Sequence, residues 1–266
     1  MRSHAHVILI LGGSVRARWE KPAEIDGQRT WAGQGTVRYV DAERAGQRQR
    51  PLTDLFAPLA EQWANVRRWN LERRWGIRQA EFDALDLSPP VHRDPLVVDV
   101  LAVYLDGGGG LDGVRRTCHE LWTLASQRQP NSWSWDWYWD GWCNYPKPVR
   151  LLDGLVHPPG VRRVTLDLGA HWEPGRHIRA GAVRGRNSAH AEILAAAAHF
   201  PAWVRAMDGT RVPHVMLSGY QVTIPGYSAH NRLPCLAWTT FRRQISLTVD
   251  WADHFHNGWA APVRVG

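Results

Sequence analysis

Lysine is nearly missing from this chain. Of 32 basic residues, only Lys21 and Lys147 are lysine and the rest are arginine. Cysteine is scarce as well. Cys118, Cys143 and Cys235 are the three present and no Cys-x-x-Cys occurs, which excludes a disulfide scaffold and paired-cysteine zinc modules and points to a reduced compartment. The leading apolar run, Val7-Ile8-Leu9-Ile10-Leu11, is short for a signal peptide, and far short of the ~20 residues that span a bilayer. A cytoplasmic protein with no membrane partner is expected. No run of five or more basic residues occurs, so there is no polybasic tail. Gly-x-Ser-x-Gly is absent, and Gly107 to Gly110 lacks both the lysine of a phosphate-binding loop and the spacing of a dinucleotide fingerprint. That segment reads as a turn.

What is present is a globular composition, 44% hydrophobic and 21% charged, with enough length to bury a real core. The net charge of +7 and pI near 9.8 suit an anionic partner such as nucleic acid. Arginine in place of lysine has two readings that can coexist. A GC-rich genome favours arginine codons, and planar guanidinium groups stack on aromatics and grip phosphate or carboxylate with paired bonds. Sixteen tryptophans are the strongest compositional signal. Trp133, Trp135, Trp137 and Trp139 alternate with Ser134, Asp136, Tyr138 and Asp140, and Trp142 follows. In an extended chain the four indoles share one face. That face either fills a core or forms a surface on which bases or sugars stack, or at which a protein partner or a second copy of the chain docks.

The periodicity predicts an α+β fold, strand-rich with three main helices. Strands are expected near 4–12, 15–19, 30–40, 96–105, 161–168, 177–183, 212–224 and 236–251. Helices are expected at about 53–79, 113–127 and 189–206, the first striped by Leu55, Leu59, Trp63 or Gln62, and Val66, the last capped by Ser188. Tyr145-Pro146-Lys147-Pro148 is the expected internal boundary, giving halves 1–145 and 146–266 packed as one compact domain. Trp19-Glu20 and Trp172-Glu173, each followed by an Ala-Gly-rich strand and a helix carrying Trp-x-x-Val-Arg or Trp-Val-Arg, suggest two pseudo-related hairpin-plus-helix halves.

Three His-x-Asp/Glu pairs stand out: His92/Asp94, His171/Glu173 and His190/Glu192. Two histidines and a carboxylate make the facial triad of mononuclear iron sites. With His230 as third ligand, either His92/Asp94 or His171/Glu173 completes such a set. His230 with Arg242 or Arg243 on the next strand resembles the end of a 2-oxoglutarate-dependent oxygenase, which implies iron as cofactor. His190-Ala191-Glu192 with Pro234-Cys235 resembles part of the zinc-dependent deaminase signature, in which Glu moves the proton. There the sequence departs from the pattern, since Trp238 stands where a second cysteine is required. The leading functional expectation is non-catalytic recognition through a Trp/Arg-rich surface, with a metal-dependent enzyme using iron or zinc as the alternative.

Overall fold

The computed structural model describes residues 6–10, 14–18, 39–41, 51–127, 150–154, 156–173, 176–178, 185, 187–223, 232–239, 244–251 and 256–265. The tryptophan ladder, Trp133 to Trp142, and His230 lie outside them, as do Arg242 and Arg243. Two units divide the chain, Met1–Arg50 and Pro51–Gly266. In the first, β1 (His6–Ile10), β2 (Ser14–Arg18) and β3 (Tyr39–Asp41) form an antiparallel sheet in that order.

The second unit carries the α+β architecture expected from the periodicity. Its helices are α1 (Leu59–Arg73), α2 (Gln79–Asp83), α3 (Gly110–Gln127), α4 (Ala191–His199) and α5 (Pro201–Ala206). Three of them, α1, α3 and α4, are the main helices foreseen. Proline sets two boundaries that the periodicity misses. Pro58 is the extended N-cap of α1, so the helix starts at 59 and the preceding residues make only a 3-10 turn, Leu52–Leu55. Pro201 splits the helix expected over 189–206, because it has no N–H to continue the ladder. Phe200 leaves helical geometry there and Pro201 opens α5. Arg74 ends α1 in the left-handed region at φ 54.

Strand β4 (Val97–Tyr104) pairs antiparallel with β6 (Gly160–Asp167) along its whole length, from Val97↔Asp167 to Tyr104↔Gly160. The pairing joins sequence on either side of the boundary expected near 145. β14 (Val263–Val265) lies on the far side of β6. Helices α1 and α4 both pack on β4, and α3 packs on α4. Every residue of β4 from Val98 onward is therefore buried, and its apolar run is continuous rather than alternating. The edge of β4 away from β6 is satisfied by side chains. Gln62 donates to the Asp99 carbonyl and accepts from Leu101 N–H, both at 2.9 Å, and His199 Nε2 lies 3.2 Å from Leu101 O.

A second sheet is built on β10 (Arg232–Thr239). One edge pairs along its length with β11 (Gln244–Trp251), and the other meets β8 (His214–Met216) and β9 (Tyr220–Thr223) in succession. β5 (Arg150–Gly154) continues it beyond β9, and β13 (Trp259–Ala260) beyond β8. β7 (His177–Ile178) and β12 (His256–Asn257) form a separate short ladder. Trp69, Trp75, Trp122, Trp203 and Trp238 are all buried, so much of the described indole complement fills the core. Among the described residues, no helix is long and apolar enough to cross a membrane.

Candidate metal centre

Helix α4 is apolar all round, Ala191-Glu192-Ile193-Leu194-Ala195-Ala196-Ala197-Ala198-His199, and every residue in it is buried. Such a helix belongs inside a protein. Its one acid, Glu192, sits in the first turn, where the helix dipole favours negative charge. The expected cap, Ser188, instead closes a local turn by accepting from Gly185 N–H. His190 is the cap, its Nδ1 accepting from Ala191 N–H at 2.6 Å.

Around the Glu192 carboxylate five groups converge. Tyr104, at the end of β4, donates its hydroxyl to Oε1 at 2.7 Å. The backbone N–H of His190 donates to Oε2 at 3.0 Å. His190 Nδ1 lies 3.0 Å from Oε2, and His157 Nε2 lies 3.7 Å from Oε1. Arg264, on β14, brings Nη1 within 3.9 Å of Oε1 and 3.2 Å of His157 Nε2. The His157 ring stacks at 4.5 Å on Tyr104 and 5.4 Å from His190. Gly219 is required beside this group, because a Cβ there would come within 2.6 Å of His190 Cδ2.

Among the described residues, the ligating atoms of His157, His190 and Glu192 all lie within 4.8 Å of one another. Glu192 is fully buried. Burial alone would push its carboxyl up, but the His190 imidazole and the hydrogen bonds it receives hold it below the usual carboxylate range. Tyr104 is pushed the other way, by burial and by the Glu192 charge, and keeps its proton. Burial pulls His157 down, with His190 and Arg264 adding to it against the opposing carboxylate, so the neutral ring is favoured. An ionised carboxylate and a neutral imidazole are the forms that bind a divalent ion.

Tyr104, His157 and His190 line a pocket of about 370 Å³, and the fully buried Glu192 does not. One wall is Gly107, Gly109, Gly110 and Gly113, where the chain turns into α3, with Gly109 and Gly110 at positive φ. Leu105, Val114, Val156 and Pro158 make the rest mostly apolar. A volume of that order takes a small molecule.

The two expected histidine-carboxylate sets lie elsewhere. His92 turns away from Asp94 and places Nε2 3.2 Å from Asp99 Oδ1, while Asp94 Oδ1 accepts from Leu96 N–H. His171 is exposed in a turn at φ 62, and exposed Glu173 pairs with Arg176 at 2.8 Å. Cys235 lies in a small separate core with Met216 and Leu233, its thiol donating to Leu233 O. Of the sequence-level pairs, His190/Glu192 is the one drawn into the cluster. His157 and Tyr104 went unnoticed, since His157-Pro158-Pro159-Gly160 carries no ligand spacing. Compared with known protein families, characterised proteins and solved structures, the chain finds no match.

Proposed function

We propose that this chain is a mononuclear metal-dependent enzyme that acts on a small molecule, with His157, His190 and Glu192 holding iron(II) or zinc. The convergence of their ligating atoms within 4.8 Å carries the reading, and His157 and His190 also line a pocket. Two histidines and one carboxylate leave coordination positions open, which iron uses for oxygen chemistry and zinc for water activation. The buried carboxylate and the neutral form favoured for His157 suit a dication, and Tyr104 orients the carboxylate as outer groups do at metal sites. Arg264 is the competitor: its guanidinium already lies 3.9 Å from the carboxylate. If it is the permanent partner, the cluster is a buried ion-pair network and nothing more.

Metal content decides between them. Protein equilibrated anaerobically with iron(II), and separately with zinc, then desalted, should retain about one ion per chain by elemental analysis. Glu192→Gln and His157→Ala should each lower retention by about tenfold or more. A wild-type chain that retains neither metal ends the proposal. Recognition through Trp133, Trp135, Trp137, Trp139 and Trp142 stands as a separate proposal, whose test is salt-dependent binding of single-stranded nucleic acid.

A further inference from the structure

Beside the first residues of β4 lies another pocket, of about 490 Å³. Its walls are Phe56, Leu59, Leu87, Pro89, Pro90 and Val98. The prolines have fixed φ, so that part of the wall is shaped before anything enters. Thr53, Gln62, His92, Arg93, Asp94 and Asp99 are its polar lining. Gln62 is taken up by the Ala57 and Asp99 carbonyls and the Leu101 N–H, and Thr53 donates to Asp54.

Behind His92 stands Asp99, whose side chain is 2% exposed. Its carboxylate receives Thr165 Oγ1 at 2.6 Å and Arg163 through Nη2 at 2.6 Å and Nε at 3.1 Å. Burial would push the carboxyl up, but the donors from Thr165, Arg163 and His92 outweigh it and keep it ionised. Those bonds already balance the buried charge with Arg163. Arg163 also ties down the approaching chain, donating to Asp86 O at 3.0 Å and lying 3.3 Å from the Asp86 carboxylate. His92 commits one ring nitrogen to Asp99, and its other ring nitrogen serves neither Asp99 nor the anchoring of that segment.

What the carboxylate does to His92 is fix its proton. Nε2 lies 3.2 Å from Asp99 Oδ1, so in the neutral ring Nε2–H donates there and the lone pair falls on Nδ1. The ring is three-quarters buried, at 24% side-chain exposure. At the rim Arg93 and Asp94 carry opposite charges, and neither sign of ligand is selected. With Thr53, Gln62 and Asp99 engaged within the protein, the second nitrogen of His92 is the acceptor we assign to a ligand, which calls for a hydrogen-bond donor on an apolar body.

We propose that this pocket binds a small, largely apolar alcohol or phenol, whose hydroxyl donates to Nδ1 of His92. The site is independent of the metal centre. Two probes of nearly equal shape isolate the hydrogen bond: 2-naphthol, which can donate, and 2-methoxynaphthalene, which cannot. In calorimetric titration of the full chain, 2-naphthol should bind one to one and about threefold to tenfold more tightly than the ether. His92→Ala should bring the two affinities together. Ala57→Trp, which fills the pocket from its wall, should weaken both by about tenfold or more, and Ala60→Trp at the rim does the same task if the first variant fails to fold. Equal affinities in the wild type, binding at several weak sites, or a folded Trp variant that binds like wild type would each overturn the assignment.

Discussion

Asp99 is a single residue that stores stability in a pH-dependent form. Its folded pKa lies below the ordinary 3.8, so the folded state binds its proton less readily than the unfolded chain. The contribution is complete above that ordinary value and is lost as pH falls below it toward the folded pKa. Asp99→Asn leaves Arg163 without its buried partner and should cost about 3 kcal/mol near neutrality. Urea denaturation at about pH 7 and about pH 3 should show the gap between variant and wild type closing in acid. A gap that stays constant would mean Asp99 acts by packing alone. The same residue shows why part of the molecule was hidden in the sequence. His92 has Asp94 two positions on, but its partner is Asp99, brought there by strand pairing with Thr165 and Arg163. Spacing along the chain reveals ligands only when both lie on one element, as His190 and Glu192 do. His157 reaches them from before β6 and left no local trace.

Among the elements, β4 was legible because enclosure on both faces demands apolar sequence, which Asp99 alone interrupts between Val97 and Val103, and α4 because four alanines in a row favour helix. The breaks at Pro58 and Pro201 were written in plain residues, yet the periodicity of the flanking segments read across them. Gln62 was the subtler element-level signal. It occupies an apolar-stripe position of α1 and is buried, because it serves the uncovered edge of β4 in place of another strand. Gln62→Leu keeps the volume but strands the Asp99 carbonyl and the Leu101 N–H. A loss of about 2–4 kcal/mol is expected from guanidinium denaturation, as two buried backbone groups lose their partners. A cost under about 0.5 kcal/mol would mean that water reaches that edge.

Among the described residues, the hydrophobic core and both pockets belong to Pro51–Gly266. A unit with its own core folds alone. Residues 51–266 expressed by themselves should melt in one cooperative transition and bind metal as the full chain does. A non-cooperative melt, or lost metal retention, would show that Met1–Arg50 completes the fold. The predicted class and the main helices survived at this scale because they depend on composition and period. The division at Arg50 falls within Ala45 to Pro51, a polar stretch that reads as a hinge in the sequence.

One consequence of β4 concerns how such a gene could vary. Asp99 and Tyr104 are five positions apart, about 17 Å along the strand, and by alternation they look out from opposite sides of it. Deleting or inserting a single codon between them would turn one of the two through half a rotation and bury it among the wrong neighbours. Descendants of this sequence should therefore tolerate changes of length on either side of 97–104 and almost none within, so that the spacing of one aspartate and one tyrosine becomes the most durable ruler in the family.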